Sequence, residues 1–475
     1  MTEEALSDFG LNKKVVDRSK NMFALGLALW LYSRPVEPAI EWLGQKFAKR
    51  PVIRDANIHV LKKGYHFGET TEDFIVKYEV QPAVLEPGRY RAVRGTQAIA
   101  MGLIAATAKS KLKLLYSSYP ITPASDLLHE LSRHKNFGVM TFQAEDEIAA
   151  IGATIGASFG GNLGVCATSG PGLALKSEGI GLAVMMELPM VIIDVQRGGP
   201  STGLPTKTEQ SDLLQSLFGR NGESPVPVIA PTTPGDCFYA AYEACCISVK
   251  YMCPVILLAD GYLANGSEPW RIPHSSDLAD FPVRFATKTN RIVAEKPTFL
   301  PYVRNDQTLA RAWVRPGTKG LEHRLGGLEK EHETGNVSYD PENHQLMTNL
   351  RAEKVRRVAQ DIAPLTVYGD CAGDVLVVGW GSTEGAIRVA VDQARKRGLR
   401  VGTVQLRYLS PLPADLGGIL PEFDHFLVPE LNMGQLVRLL RDRFLLPFAA
   451  LNKVQGRPFR VSEIEEAIVN LSQST

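Results

Sequence analysis

The chain has 475 residues, 44% of them apolar, and its 52 basic and 51 acidic residues give a net charge of +1. This length predicts about three domains with ordinary apolar cores. The balanced charge argues against a protein that covers nucleic acid with a basic surface. The six cysteines form no C-x-x-C pair, and the nine histidines show no H-x-x-H or H-E-x-x-H spacing. We therefore expect reduced, mostly buried thiols and no metal site in this chain.

Residues 22–32 (MFALGLALWLY) are the one candidate for a membrane or signal segment. Eleven residues are too few for a helix to cross the hydrocarbon core, and no small-residue cleavage site follows them. The stretch is more typical of a buried helix. These observations predict a cytoplasmic protein that makes no contact with a membrane.

Residues 1–87 are predicted to form a first unit. The apolar spacing of residues 18–31 and 37–47 indicates two helices. Polar, β-like segments are expected around residues 65–78. This unit contains no alternating set of strands that could complete a sheet, so it resembles the rear part of a domain. Prolines and a glycine at its end predict a linker.

Residues 88–282 are predicted to form an α/β domain with a parallel sheet. A helix that starts at Gly95 comes first, and a later strand, helix and strand complete the alternation. Between the first helix and these later elements lie three apolar runs: LKLLYSSY, NLGVCAT and LPMVIIDV. Each run leads into a turn of Pro, Gly, Ser or Thr, and a helical pattern follows the turns of the first two. In such sheets, binding sites form in the loops beyond the carboxyl ends of the strands.

Residues 283–365 are predicted to be an irregular connecting segment. From residue 366 a further α/β unit begins, with a strand, a Gly/Ser/Thr turn and an amphipathic helix in VLVVGWGSTEGAIRVAVDQARKRG. The turn at 379–385 is neither a G-x-G-x-x-G motif nor a Walker loop, so it is only a weak indication of nucleotide binding.

The loops after the three apolar runs carry Thr122, then Ser169 and Gly170, then Arg197. Because the carboxyl ends of parallel strands meet at one edge of a sheet, these residues predict a site where the backbone comes close to a ligand. The alternative is that the glycines only form tight turns. The presence of a hydroxyl, a guanidinium and an acid, Glu147, at equivalent places favours a site.

Glu147 opens a helix that is rich in small residues. A sheltered carboxylate can hold a strong hydrogen bond to a ring nitrogen of a cofactor such as the aminopyrimidine of thiamine diphosphate. The alternative is that Glu147, with Glu145 and Asp146, only lies at the favourable end of a helix dipole. Spacing alone favours this alternative.

Seven motifs follow one another along the chain: YPITP (119–123), EDEIAAIGA (145–153), TSGPG (168–172), RGGPSTGLPT (197–206), GLEHRLGGLEK (320–330), GNVSYDP (335–341) and ELNMGQL (430–436). Together they resemble the alpha subunit of 2-oxoacid:ferredoxin oxidoreductases, most closely the 2-oxoglutarate branch. The resemblance implies an α/β fold class. It implies a thiamine-diphosphate-fold pyrimidine-binding domain (88–282), a transketolase C-terminal-like domain (366–475) and a partial gamma-type domain at the N-terminus (1–87).

For function, the resemblance implies oxidative decarboxylation of a 2-oxoacid, most closely 2-oxoglutarate, with coenzyme A to acyl-CoA, CO₂ and reduced ferredoxin. Glu147 would contact the pyrimidine ring of thiamine diphosphate, and Ser169 and Gly170 would lie beside the cofactor. Thr122, Arg197 and Thr206 would bind the substrate.

In the same family, a separate beta subunit supplies the diphosphate–Mg²⁺ site and an iron–sulfur cluster. This chain lacks a Gly-Asp-Gly followed by paired Asn, and it has no cysteine cluster. We therefore expect activity only with a beta subunit that shares the thiamine diphosphate. Two alternatives remain: the same chemistry on pyruvate or a branched 2-oxoacid, and a non-catalytic paralogue that has kept the fold.

Overall fold

The computed structural model describes residues 2–71 and 76–474. The chain divides into two compact units, Met1–Pro87 and Gly88–Thr475. The α-helices of the described residues are α1 (Thr2–Ala5), α2 (Lys13–Leu31), α3 (Glu37–Lys46), α4 (Pro51–Thr70), α5 (Gly95–Ser110), α6 (Ser125–Leu131), α7 (Glu147–Phe159), α8 (Gly170–Leu175), α9 (Ser177–Met186), α10 (Leu213–Phe218), α11 (Asp236–Tyr251), α12 (Gly261–Asn265), α13 (Pro341–Arg357), α14 (Glu384–Lys396), α15 (Leu416–Ile419), α16 (Gln435–Phe444) and α17 (Val461–Ser472).

The strands are β1 (Tyr90–Arg94), β2 (Leu114–Ser118), β3 (Met140–Gln143), β4 (Leu163–Thr168), β5 (Met190–Gln196), β6 (Val228–Ile229), β7 (Pro254–Asp260), β8 (Ser267–Arg271), β9 (Arg291–Val293), β10 (Lys296–Thr298), β11 (Tyr368–Gly369), β12 (Gly373–Trp380), β13 (Val401–Leu406), β14 (Tyr408–Ser410), β15 (Phe423–Glu430) and β16 (Ala449–Asn452).

The regular secondary structure of the first unit is helical in the described residues, and residues 76–87 follow without a helix. Helices α2 and α4 pack closely because Gly26 and Gly64 face the backbone of the opposite helix: a Cβ at Gly26 would lie 2.8 Å from the Tyr65 backbone nitrogen. The two predicted helices are confirmed as α2 and α3. The β-like prediction for residues 65–70 is wrong, since α4 continues to Thr70 with its glycine face buried against α2. The part of that prediction at 72–75 lies outside the described residues.

A seven-stranded sheet organises the second unit, in the order β14-β6-β7-β5-β4-β2-β3. All neighbouring pairs are parallel except β14 with β6. The three apolar runs of the sequence form β2, β4 and β5, as predicted. Strand β3 was not predicted, because its residues are largely exposed and form no apolar run. Since β2, β4 and β5 are adjacent and parallel, the loops that follow them lie side by side.

A five-stranded sheet follows, in the order β11-β13-β12-β15-β16, and only β11 runs antiparallel to its neighbour. Strand β14 comes from the same part of the chain but pairs with β6 of the first sheet. The α/β fold class is therefore confirmed. Apolar side chains of both sheets share one core cluster, which includes Ile192, Ile256, Leu376 and Val428.

Residues 341–357 were predicted as part of an irregular segment, but they form α13. Asp340 caps this helix, because its carboxylate accepts a hydrogen bond from the Asn343 backbone nitrogen at 2.7 Å. The helix is mostly polar, so its apolar spacing is weak. It is held through the buried Lys354, whose ammonium group contacts the buried Glu187 carboxylate. Arg304 binds the other oxygen of that carboxylate at 2.5 Å.

Candidate active site

The loops after β2, β4 and β5 converge at one edge of the seven-stranded sheet. Arg197 immediately follows β5, and its Nη1 donates a hydrogen bond to the Thr122 carbonyl oxygen at 2.5 Å, although the two residues are 75 positions apart. Ser169 follows β4, which lies between the other two strands. The structure therefore brings Thr122, Ser169 and Arg197 to neighbouring loops.

Glu147 is the first residue of α7 and is half-buried. The cap of this helix is Asp146, whose Oδ1 accepts a hydrogen bond from the Ala149 backbone nitrogen at 2.8 Å. The neighbouring acid therefore performs the capping role that spacing alone suggested for Glu147. The Glu147 carboxylate is not the cap and interacts with the Tyr119 phenol instead.

Gly172 lets the side chains of Tyr119 and Thr168 meet beside Glu147. A Cβ at this glycine would lie 2.8 Å from the Glu147 Cγ and would collide with the Tyr119 and Thr168 hydroxyl oxygens. Those hydroxyls are 2.9 Å apart and share a hydrogen bond. Burial, followed by the influence of the Glu147 carboxylate, raises the pKa of Tyr119, so its phenol stays protonated.

Ser169 precedes α8 as its N-cap residue, yet its hydroxyl makes no cap hydrogen bond and has no partner in the described part of the chain. A buried hydroxyl without a partner is costly and marks a place where a ligand or water completes the site. Gly170 follows, and a Cβ there would lie 2.7 Å from the Asp212 Oδ1. Both residues are thus at the edge of the sheet where the sequence placed them.

The Arg197 side chain is only 9% exposed. Its Nε has no hydrogen-bond partner, and among residues 2–71 and 76–474 no carboxylate forms an ion pair with it. Buried arginines are normally paired with a carboxylate or saturated with carbonyls. Arg197 is neither, so it presents an unused part of its guanidinium at this edge.

Thr206 lies on the exposed loop that returns from Gly198 to the sheet. The Gly198 nitrogen donates to the Lys207 carbonyl oxygen at 2.9 Å and closes the loop. In the described residues, the Thr206 side chain makes no hydrogen bond to Thr122 or Arg197. The structure therefore places Thr206 near the predicted site but does not bring it into contact with the other two residues.

Two family models match the chain. "Pyruvate flavodoxin/ferredoxin oxidoreductase, thiamine diP-bdg" matches residues 107–340, and "Pyruvate:ferredoxin oxidoreductase core domain II" matches residues 373–464. The chain is also 52% identical, over 98% of its length and 70% of the relative's, to "2-oxoglutarate oxidoreductase subunit KorA" of Mycobacterium tuberculosis. The chain belongs to the alpha subunits of 2-oxoacid:ferredoxin oxidoreductases.

Further relatives agree with this assignment. "2-oxoacid:ferredoxin oxidoreductase 1, subunit alpha" of Aeropyrum pernix is 32% identical over 97% of this chain and 72% of its own. A solved structure, "2-oxoglutarate:ferredoxin oxidoreductase from Magnetococcus marinus with 2-oxoglutarate, coenzyme A and succinyl-CoA bound", is 32% identical with a TM-score of 0.87. The match covers 99% of this chain and 80% of that chain. The family resemblance inferred from the seven motifs is confirmed.

The alpha subunit therefore has a domain of the thiamine diphosphate-binding family. The residues at the edge of the sheet fit such a ligand in three respects. Glu147 is half-buried and not used as a cap, the Ser169 hydroxyl has no partner, and Gly172 leaves room where a side chain would displace Glu147. In the described ranges, His, Cys, Asp and Glu nowhere gather in threes that could hold a metal ion.

Four charged or hydroxyl-bearing residues of the site were missed in the sequence: Tyr119, Lys176, Asp194 and Asp212. Lys176 is fully buried, its ammonium has no hydrogen-bond partner in the described chain, and it lies 4.4 Å from the centre of the Tyr119 ring. Burial lowers the pKa of Lys176. Lys176 and Asp194 could have been found in the sequence, because each is a charged residue within an apolar run, GLALKSE and MVIIDV.

A buried polar seam fixes the segment that carries Asp212. The Gln210 side chain donates to the Trp380 carbonyl oxygen at 2.8 Å and accepts from the Leu431 nitrogen at 3.0 Å. Asn432 donates to the Gln210 carbonyl oxygen at 2.7 Å. These contacts bind the segment to the five-stranded sheet, so both sheets position the site.

None of the helices in the described ranges combines the length and apolar character needed to cross a bilayer.

Proposed function

We propose that this alpha subunit acts on 2-oxoglutarate, which is oxidatively decarboxylated with coenzyme A to succinyl-CoA, CO₂ and reduced ferredoxin. Support comes from the relatives of M. tuberculosis and M. marinus, whose names give 2-oxoglutarate as substrate. Pyruvate or a branched 2-oxoacid is the competing substrate. A non-catalytic role is disfavoured, since Thr122, Glu147 and Arg197 are all present.

The observation that carries the proposal is the unpaired, buried guanidinium of Arg197. A 2-oxoacid presents a carboxylate beside its reacting keto carbon, and a guanidinium binds a carboxylate through two parallel hydrogen bonds. Arg197 has one nitrogen on the Thr122 carbonyl oxygen and, in the part of the chain that the structure describes, no paired carboxylate. It would take the substrate carboxylate, with the hydroxyls of Thr122 and Thr206 as neutral partners.

Thiamine diphosphate, when bound, supplies the carbanion that attacks the keto carbon. Glu147 would hold its pyrimidine ring by a hydrogen bond, and Ser169 and Gly170 would line the ring. Tyr119 and Thr168 restrict the Glu147 side chain from the protein side, because Gly172 lets them approach it. The chain's own contribution is thus to hold the cofactor and to move a proton at the Glu147 carboxylate.

We propose a beta subunit as the partner that completes the site with Mg²⁺ and an iron–sulfur cluster and that passes electrons to ferredoxin. Large apolar side chains are exposed on β3, α7 and α8: Phe142 (48% exposed), Ile148 (60%) and Leu175 (55%). Exposed apolar side chains of this size are typical of a permanent interface, which buries about 2,000 Å² or more. The division of the chain at residues 87, 282 and 365, the partial gamma-type domain and the cytoplasmic location remain parts of this proposal.

The test compares two arginines, Arg197 and Arg220, in the complex with the beta subunit. Arg197→Ala should lower kcat/KM for 2-oxoglutarate, and the loss should correspond to about 2–5 kcal/mol of transition-state stabilisation. Tm should change little. Arg197→Lys keeps the charge and should raise KM. Arg220 is the matched control, because within the described residues its nitrogens bind only the carbonyl oxygens of Ser216, Leu217 and Ser224 and the Ser224 hydroxyl. Arg220→Ala should lower Tm and leave KM unchanged.

The proposal fails if Arg197→Ala behaves as Arg220→Ala does, with loss of folding and normal kinetics in the folded fraction. The same complex decides the substrate, since kcat/KM for 2-oxoglutarate should exceed that for pyruvate and for branched 2-oxoacids. Expressed without the beta subunit, the chain should contain no iron and bind thiamine diphosphate weakly. An active, iron-containing product of this chain alone would contradict the assignment of the partner.

A further inference from the structure

Two aspartates approach each other beneath the site. Asp194 lies near the end of β5, and the Gln196 side chain projects from the same face of that strand two residues later. The Gln196 Oε1 accepts a hydrogen bond from the Asp212 backbone nitrogen at 3.1 Å. This bond ties the Asp212 backbone to β5 two residues beyond Asp194, and the two carboxyl groups lie within hydrogen-bond reach of each other.

Neither carboxyl group has an ordinary partner. Asp194 is fully buried, and within the described ranges both of its oxygens and the Asp212 Oδ2 lack a donor. Asp212 occupies the N-cap position of α10 but makes no cap hydrogen bond with its side chain. An aspartate at an N-cap normally uses its carboxylate there, so the Asp212 carboxyl is held in another interaction.

A hydrogen bond between two carboxyl groups requires a proton. Ionised carboxylates only accept hydrogen bonds, and two of them in contact away from water repel each other strongly. Burial, together with the charge of Asp212, raises the pKa of Asp194 well above its usual range. Burial raises the pKa of Asp212 to about 6. At neutral pH the pair therefore holds one proton and one negative charge.

Two buried cations face this pair without pairing with it. The charges of Lys176 and Arg197 both lower the pKa of Asp194, but among the described residues neither cation lies within ion-pair distance of a carboxylate. Glu209 is the remaining charged neighbour. Its Oε2 accepts hydrogen bonds from the Gly199 nitrogen at 3.3 Å and the Ser211 hydroxyl at 2.6 Å. The Glu209 charge raises the pKa of Asp212.

We propose that Asp194 and Asp212 share one proton and are positioning residues for Arg197, which they balance in charge without binding it, so that the 2-oxoacid carboxylate can bind it. This inference rests on the proposed role of Arg197. A pair with two negative charges would neutralise Arg197 and repel the substrate. An uncharged pair would leave a buried cation unbalanced. The arriving carboxylate adds a negative charge, so substrate binding takes up a proton at Asp212.

The groups that face the pair are Arg197, Lys176, Glu209 and the Tyr119 phenol, whose pKa the charge of Asp194 raises. Lys176 is itself under the charge of Glu147 and Asp146. The direction in which KM changes with pH follows from this proton uptake. KM for 2-oxoglutarate should rise between pH 6 and 8, on the order of tenfold, as one linked proton becomes harder to bind. In Asp212→Asn the pair can no longer ionise at this position, so KM should stay near its low-pH value throughout, with kcat little changed.

The shared proton is measured directly by infrared spectroscopy of the full alpha subunit in complex with the beta subunit. The wild type at neutral pH should show a protonated-carboxyl band that Asp194→Asn removes. In Asp212→Asn the band should shift in frequency, because Asp194 keeps its proton but loses a carboxylate as its hydrogen-bond acceptor. Asp370→Asn is the matched control, because Asp370 is paired with Arg395 at the surface. It should change neither the band nor the pH profile. If one variant does not fold, the pH titration of the wild-type band and the other variant still decide.

Three outcomes overturn the inference. The first is the absence of any protonated-carboxyl band that Asp194→Asn removes, which means that both aspartates are ionised. The second is a band that is present while the pH dependence of KM is the same in wild type and Asp212→Asn. In that case the pair is only structural, and the proposed function stands if Arg197→Ala still lowers kcat/KM. The third is an unchanged kcat/KM in Arg197→Ala, which removes the proposed function and this inference together.

Discussion

Gly172 is a position where one added methyl group should disturb the side chains of the site and leave the backbone fold intact. Its backbone does not have a positive φ, so alanine is compatible with it. The added Cβ would lie 2.8 Å from the Glu147 Cγ and collide with the Tyr119 and Thr168 hydroxyls, all of which are side-chain atoms. Gly172→Ala therefore forces side chains of the site to move while the helix backbone can stay.

Three contributions determine how much Gly172→Ala changes the free energy of unfolding. Overpacking typically costs about 1–3 kcal/mol, and the displaced Tyr119–Thr168 hydrogen bond is worth about 1 kcal/mol. Replacing glycine in a helix returns roughly 0.5–1 kcal/mol. We expect a net loss of about 1–3 kcal/mol in the free energy of unfolding. Gly181 in α9 is the matched control, because no atom lies within 4 Å of its Cβ position, and Gly181→Ala should be neutral or stabilising.

Urea unfolding of the purified chain measures the free energy of unfolding of both variants. The comparison requires that the dependence of this free energy on urea concentration is the same as in the wild type. In the assembled complex, displacement of Glu147 by about 1 Å should slow deuterium exchange at the thiazolium carbon on the order of 10²-fold. Gly181→Ala should exchange at the wild-type rate. If Gly172→Ala is as stable as Gly181→Ala and exchanges normally, the crowding of Glu147 against Gly172 is refuted.

Two other carboxylates give contrasting predictions. Glu147→Gln should leave unfolding unchanged and slow thiazolium exchange by about 10²–10⁴, whereas Asp146→Ala, its control, should lose only a helix cap of about 1 kcal/mol. Equal exchange rates in both would return Glu147 to a structural role. Burial acts to raise the pKa of Glu187, but Lys354 and Arg304 outweigh it and lower the pKa to about 2. Its stabilisation is therefore complete above pH 4.5 and is lost as pH falls through about 2. Glu187→Gln should cost about 3–5 kcal/mol at pH 7, and a constant difference down to pH 2 in urea unfolding would contradict this.

The sequence predicted the parts of the site that depend on local pattern. The three apolar runs could be assigned to strands because parallel strands are buried on both faces and are therefore continuously apolar. Their small and polar turns then located Thr122, Ser169, Gly170 and Arg197 at strand ends. The motifs, taken in order, indicated the family that the comparisons confirm.

Elements with a weak apolar pattern could not be predicted. Strand β3 lies at the edge of the sheet with exposed residues, and α13 is mostly polar and held by charged side chains. Both form because tertiary contacts override a weak local preference. The β-like prediction at residues 65–70 failed for the same reason, since the glycines of α4 are explained only by the helix that packs on them.

The roles of individual charges were decided by the tertiary structure alone. Spacing placed Glu147 and Asp146 equally well at the start of a helix, and only the geometry shows that Asp146 is the cap. Asp194 and Asp212 are distant in the sequence, and nothing in it indicates that they meet. Whether a charge is paired, shielded or free depends on which strands become neighbours and on what is buried with it, and the order of residues does not contain that information.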